Sequence, residues 1–178
     1  MVKELKYKII DNFLDKEEYK NFKNFLNSEK IPWFFRSSEV GNNIDEKNKN
    51  GFFSFCAYNN GKPDHDGFFN LNLNILEKLK TFVPIQIRAN CTFRDKDSIE
   101  SDWHIDYNLS FSVTAILYLT TCNAKTVLNI NNKKVYVDSL ENRLLKFNST
   151  IKHKLIYHTD VFKRIVVNYN YITNNGDI

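Results

Sequence analysis

The sequence predicts an α+β chain, mainly β, in which N-terminal helices buttress a jelly-roll core supplied by the C-terminal half. Three observations predict it. From Pro84 onward, short segments rich in β-branched and aromatic residues follow one another at close intervals. No helical period interrupts them, and strands without intervening helices pair antiparallel into a sandwich or barrel. Before Pro84, two stretches carry apolar residues at helical spacing.

Leu5–Ile10 reads as a short strand. Asp15 then stands as an N-cap, with Glu18 three residues on completing a capping box and Leu14 and Tyr19 at the two positions of a hydrophobic staple. Tyr19, Phe22, Phe25 and Leu26 form the apolar face of that helix, and Pro32 closes the unit. Ser37–Asn50 is polar and without period, so it reads as a loop. A strand over Phe52–Tyr58, a turn-rich Asn59–Gly67 and a helix from about Leu73 to Phe82 follow, the last with Ile75, Leu76, Leu79 and Phe82 on one side. The β segments are Ile85–Phe93, Phe111–Leu119, Thr126–Ile130, Lys133–Val137, Arg143–Phe147 and Arg164–Ile172. Asn131-Asn132 separates two of them at two-residue hairpin spacing, and Asn tolerates the positive φ that such a turn needs.

A chain of 178 residues suffices for one domain with a sizeable core and is short for two. Residues 1–178 are therefore read as a single domain, with 1–83 as strand-and-helix support and 84–172 as the β core. Its 15 Phe and 9 Tyr supply much of the core volume. Lys+Arg 25 against Asp+Glu 21 gives a net charge of +4, intermixed along the chain, which does not predict a nucleic-acid partner. The opening residues lack the apolar run of a secretory signal. No stretch approaches the ~18 apolar residues of a membrane span. Cys56, Cys91 and Cys122 are odd in number and widely spaced, which fits buried free thiols better than disulfides or a zinc site. The expectation is a cytoplasmic enzyme or binding protein.

Trp103-His104-Ile105-Asp106-Tyr107 carries the chemistry. In an extended segment the side chains of His104 and Asp106 project to one side, with Trp103, Ile105 and Tyr107 on the other. An imidazole and a carboxylate are two-thirds of the 2-His-1-carboxylate set that leaves positions open on Fe(II). Alone the pair is weak: with 4 His and 21 acidic residues in the chain, about half of one His-x-acid pair arises by chance. Downstream, an apolar strand leads through the polar turn Asn148-Ser149-Thr150 to His153, placed to supply a third ligand from across the barrel. Arg164 then opens the last strand, where a buried guanidinium needs an anion. A planar fork that grips a carboxylate through two hydrogen bonds is its natural use.

His-x-Asp, a distal His and an Arg one strand later resemble the 2-oxoglutarate/Fe(II)-dependent dioxygenases. The prolyl-4-hydroxylase-like branch and its small stand-alone members of phage type are the most similar. The resemblance spans Pro84 to Tyr171. It includes Thr114-Ala115-Ile116-Leu117-Tyr118-Leu119 after the first two ligands, Val135 through Phe147, and Thr159-Asp160 before Lys163-Arg164. It implies a double-stranded β-helix in which His104, Asp106 and His153 bind iron and act catalytically. It further implies that Arg164 pairs with the C5 carboxylate of 2-oxoglutarate and that Tyr118 offers a phenol to the same group. Asn90, which shares a strand face with Arg88 and Thr92, is a candidate for the keto-acid carboxylate. The implied reaction hydroxylates a C–H bond of a peptidyl substrate, prolyl included, or of a small molecule, using O2 and releasing succinate and CO2, with ascorbate as an accessory reductant. A phage-type member would work in the host cytoplasm. One departure stands out: where the family often has a Gly-rich loop, this chain reads Asn123-Ala124-Lys125-Thr126, and no Gly occurs between Gly67 and Gly176.

His158 rivals His153 as the third ligand, but the spacing from 153 to 164 favours His153 and leaves His158 as an exposed or supporting residue. Arg143 and Arg88 are alternatives to Arg164, read rather as salt-bridge partners. His65, in Pro63-Asp64-His65-Asp66-Gly67, reads as part of a solvated loop. Trp33, Phe34, Phe35, Phe52, Phe53 and Phe55 read as packing residues. Two other functions compete: oxidative demethylation of nucleic-acid bases by the same iron chemistry, and a non-enzymatic jelly-roll binding module whose histidines are incidental.

Overall fold

The computed structural model describes residues 7–37, 51–94, 96–97, 99–109 and 111–174. The chain order is β1 (Tyr7–Ile10), α1 (Lys16–Leu26), β2 (Phe34–Arg36), β3 (Phe52–Asn59), β4 (Lys62–Pro63), α2 (Asp66–Leu71), α3 (Leu73–Lys78), β5 (Val83–Phe93), β6 (Ser112–Tyr118), β7 (Cys122–Ile130), β8 (Lys133–Ser139), β9 (Leu144–Asn148), β10 (His153–Ile156) and β11 (Lys163–Ile172). The pairings given for these strands are all antiparallel.

The larger sheet runs β1-β9-β6-β11-β5-β3-β2, with β4 paired to β3, and the smaller runs β10-β7-β8. Strands from the first third of the chain thus sit in the same sheet as those of the C-terminal half. Alternation decides which side each residue serves. On β11, Ile165, Val167, Tyr169 and Tyr171 join a core that includes Phe22 and Leu26 of α1, Phe68 of α2 and Ile75 of α3. The other face of the larger sheet, through Ile116, Tyr118, Leu145, Phe147 and Val166, meets Leu128 and Val137 of the smaller one. The result is a two-sheet jelly roll with helices on the outer face, as the sequence predicts.

Local chemistry explains the boundaries. Asp15 Oδ1 accepts hydrogen bonds from Glu17 N at 3.1 Å and Glu18 N at 2.9 Å and so caps α1. The reciprocal half of the capping box is replaced, because the Glu18 carboxylate pairs with Lys78 of α3 at 2.5 Å. The helix predicted from about Leu73 to Phe82 is shorter, Leu73–Lys78, and an unpredicted short helix, Asp66–Leu71, precedes it across Asn72. That buried side chain donates to Phe68 O and accepts from the Tyr169 hydroxyl, so it serves tertiary structure rather than helix continuity. Lys80 has a positive φ of 55°, which ends the helical path before Phe82, and Phe82 is 64% exposed rather than on the buried side. Asn131 and Asn132 have φ of 50° and 62°, the two left-handed residues of the predicted hairpin turn.

The strand predicted over Leu5–Ile10 is present from Tyr7, its first two residues lying outside the described ones. The loop expected over Ser37–Asn50 is outside them from Ser38 on. Cys56, Cys91 and Cys122 are free thiols, the last two buried. No described helix is long and apolar enough to cross a membrane.

Candidate active site

His104 and His153 face each other across an isolated antiparallel bridge. Each backbone N–H donates to the other's carbonyl, at 3.0 and 2.9 Å, and the imidazole centroids are 4.3 Å apart. The segment around His104 is otherwise irregular, which corrects the expected strand. His104 and Asp106 still turn the same way, but Ile105 and Tyr107 also line the cavity instead of pointing from it. Trp103 lies under the Lys154 ammonium, 4.7 Å from its ring centroid.

The three predicted ligands are brought together: one nitrogen or oxygen from each of His104, Asp106 and His153 lies within 4.8 Å of the others. His104 Nδ1 is 3.2 Å from Asp102 O and His153 Nδ1 is 3.1 Å from Ile151 O. A carbonyl only accepts, so each Nδ1 carries a proton and each Nε2 is the nitrogen turned towards Asp106. Those nitrogens stand 3.9 and 3.7 Å from Asp106 Oδ1. Asp106 Oδ2 accepts from Thr114 Oγ1 at 2.7 Å and from Asn170 Nδ2 at 2.9 Å. Burial works to raise the Asp106 pKa, yet the facing His153, those two donors and His104 outweigh it, and the carboxyl sits below its ordinary value. Burial lowers the His153 pKa, which favours the neutral imidazole that coordinates metal. Two imidazoles and a carboxylate match the donor set suited to Fe(II).

These side chains open on a cavity of about 350 Å³ between the sheets. Arg164 lines it while only 4% exposed, and it forms no ion pair among the described residues. Its Nε donates to Ser139 Oγ at 3.2 Å, and its guanidinium lies 5.5 Å from the Tyr118 ring centroid. Tyr118 does not line the cavity. Its hydroxyl donates to Thr126 Oγ1 at 2.8 Å, and Thr126 presents the polar surface in its place. Asn90 lines the cavity, its buried Oδ1 without a hydrogen-bond partner among the described residues.

Five other expectations need revision or detail. His158 is fully buried, not exposed; burial and the positive charge of Arg164 both lower its pKa, and it lies outside the ligand cluster. Arg143 is the expected salt-bridge residue, gripping Asp11 through two nitrogens at 2.6 and 3.0 Å. Arg88 forms no ion pair among the described residues and lines the cavity, with its guanidinium 5.7 Å from the Phe52 centroid. His65 caps α2, its Nδ1 accepting from Phe68 N at 3.0 Å, and its ring packs 5.0 Å from Phe55. Of the six aromatics read as packing residues, Phe52 and Phe55 are buried and Phe34 and Phe35 are exposed.

Sequence reasoning missed Thr114, Asn170, Thr126 and Ser139. For Asn170 a signal exists. Arg164, Asn168 and Asn170 interrupt an apolar strand at even positions, and Gln86, Arg88, Asn90 and Thr92 do the same on β5. All seven line the cavity.

The solved structures decide what this architecture is. A 2OG-Fe(II) oxygenase family oxidoreductase from Burkholderia pseudomallei superposes with a TM-score of 0.72 at 10% identity, over 93% of this chain and 84% of that one. The fold is that of the 2OG-Fe(II) oxygenases. A prolyl hydroxylase from Trichoplax adhaerens, in complex with a hypoxia inducible factor peptide fragment, shares the oxygenase fold at a TM-score of 0.63 and 18% identity, over 96% of this chain and 84% of that one. The epimerase SnoN, in complex with Fe3+, alpha ketoglutarate and nogalamycin RO, shares it at 0.62 and 10% identity, over 94% and 78%. No family model matches the sequence, and no curated protein matches it. At these identities the oxygenase fold is shared in the path of the chain and only faintly in the residues.

Proposed function

We propose that the protein is an Fe(II)- and 2-oxoglutarate-dependent dioxygenase that hydroxylates a C–H bond of a peptidyl or small-molecule substrate. One observation carries the reading: His104, Asp106 and His153 converge on a cavity that is also lined by a buried Arg164 with no ion-pair partner among the described residues. A metal-ligand set and a carboxylate anchor in one chamber are what a metal-chelating keto diacid requires. SnoN, which shares the fold, holds an iron and alpha ketoglutarate. Bound there, the iron would activate O2 at the expense of the keto acid, which leaves as succinate and CO2.

The chain's own residues do the positioning. Asp102 O and Ile151 O fix the imidazole tautomers, and Thr114 with Asn170 fixes the carboxylate. Arg164 takes the distal carboxylate of the keto acid, braced from below by Tyr118, while Asn90 offers a polar contact along its length.

The test is spectroscopic. Anaerobic protein mixed with Fe(II) and 2-oxoglutarate is expected to develop a visible charge-transfer band, absent in His104→Ala. No band in the wild-type protein overturns the reading.

A further inference from the structure

Arg88 is left without an assignment, although it lines the same cavity as Arg164. The two guanidiniums sit at different places. Arg164 opposes Thr92 on β5, whereas Arg88 opposes Asn168 on β11, four residues along. Asn170, which holds Asp106, is two residues further, so Arg88 stands about 7 Å along the strands from that level. The surroundings differ as well. Arg164 contacts Tyr118 of β6 and Ser139 of β8. Arg88 belongs to β5, on the other side of β11 from β6, with Phe52 of β3 beneath it. Its Nε is buried with no hydrogen-bond partner among the described residues, and so is the Oδ1 of its register partner Asn168. An unsatisfied cationic donor beside an unsatisfied acceptor is costly unless a ligand completes both.

Charge argues the same way. With a divalent ion and a dianionic keto acid in place, Asp106 and Arg164 complete a neutral set, and Lys154 is already paired with Glu100. Arg88 then remains as one positive charge in the chamber that no described residue compensates.

We propose that Arg88 and Asn168 form the substrate seat, the guanidinium binding a carboxylate and the Asn168 carbonyl oxygen accepting from a nitrogen one carbon away. That pairing of groups belongs to an α-amino acid, free or as the C-terminal residue of a peptide. The cavity volume of about 350 Å³ lies at the small end of ligand sites, about 300 to 1,000 Å³, and part of it is taken by the keto acid. A single residue fits what is left. The proposal rests on the oxygenase reading above for the position of the keto acid, not for the seat itself.

The test is equilibrium binding to protein loaded with Zn(II), an inert stand-in, and saturating 2-oxoglutarate. The twenty free L-amino acids are titrated beside their methyl esters, and any binder is also offered at the C-terminus of a tripeptide with a free or amidated end. At least one acid is expected to bind, with its ester weaker by about tenfold or more. Arg88→Gln should lose the acid by a similar factor while holding 2-oxoglutarate within about twofold of wild type. Because the ester comparison uses wild-type protein, it decides the matter even where Arg88→Gln does not fold, and Arg88→Met is the second variant. Tripeptide binding that needs the free end identifies the peptide source, and binding of the free acid alone identifies the small molecule; either supports the seat. It is overturned if no acid binds to protein that takes up 2-oxoglutarate, if ester and acid bind alike, or if Arg88→Gln loses 2-oxoglutarate as fully as Arg164→Gln. Arg88-dependent acid binding to protein that takes up no 2-oxoglutarate would support the seat and strike the oxygenase reading instead.

Discussion

Asn170 donates a 2.9 Å hydrogen bond to Asp106 Oδ2, and it lies 64 residues along the chain from its acceptor. With Thr114 on the same oxygen at 2.7 Å, it leaves Oδ1 as the atom that faces both histidines. Groups that orient a ligand in this way typically contribute about 10- to 100-fold to metal affinity. Asn170→Ala is therefore expected to weaken Fe(II) or Mn(II) binding by about that factor while the far-ultraviolet circular dichroism stays that of the wild type. Unchanged metal affinity, measured by competition with a chelating dye, would show that Asp106 needs no such support.

Arg164 tests the co-substrate side. It is buried, and its charge meets no carboxylate among the described residues. Replacing such a group by an apolar one of similar length is often neutral or stabilising. Arg164→Met should hold or raise Tm and weaken 2-oxoglutarate binding by about 10- to 100-fold, the worth of a charge-assisted pair. A fall in Tm with 2-oxoglutarate affinity intact would make Arg164 a structural residue.

Much of this was legible in the sequence, and unevenly so. The strands after Pro84 announce themselves through β-branched and aromatic runs, because such side chains suit a pleated, half-buried surface. Asn131-Asn132 marks its turn by the same local logic. The ligand set was readable because His104, Asp106, His153 and Arg164 keep a chain order that the resemblance supplied. Partners distant in sequence were not readable. Thr114 and Ser139 are ordinary strand residues until the fold brings them to Asp106 and Arg164. Nothing in the sequence marks Asn72, yet its side chain is committed to Tyr169, 97 residues away. Arg88 was taken for a salt-bridge residue because its neighbours in sequence do not show that β3 and β11 would leave it without an anion. Local rules found the elements, and long-range pairing decided what several polar residues were for.

Asn142 offers a test of the fold away from the metal ligands. Its side chain is bonded twice to the Leu14 backbone, accepting from N at 2.9 Å and donating to O at 2.8 Å, and so ties the approach to α1 to the turn before β9. Its φ is +58°, a conformation Asn tolerates and Ala resists. Asn142→Ala leaves two backbone groups short of partners and adds left-handed strain, a loss of about 2 to 4 kcal/mol. Asn142→Gly keeps the first penalty and removes the second, so it should be the milder by about 1 kcal/mol. Urea unfolding curves separate the two. Equal losses for both variants would rule out the strain contribution, and a loss under about 0.5 kcal/mol in each would rule out the tie.

The thiols give the pH dependence. Burial raises Cys56 and Cys91 to about 11 each, with the Asp64 carboxylate adding to the effect at Cys56. Because the thiolate is the reacting form, native Cys56 and Cys91 should alkylate far more slowly at pH 8 than the same residues in denaturant. Their rates should climb about tenfold per pH unit towards 11. The sign for stability follows from proton counts. An unfolded thiol loses its proton near 9, about two units before the native one, so between those values the unfolded state binds fewer protons and stability falls as pH rises. The buried Tyr118, Tyr169 and Tyr171, all raised by burial, act in the same direction at higher pH. Tm is therefore expected to decline across pH 9 to 11, and Cys91→Ala, measured against its own neutral-pH value, should decline less. Peptide mass mapping after timed iodoacetamide exposure checks the rates. Native labelling of Cys56 at pH 8 as fast as in denaturant would contradict the burial that raises its pKa.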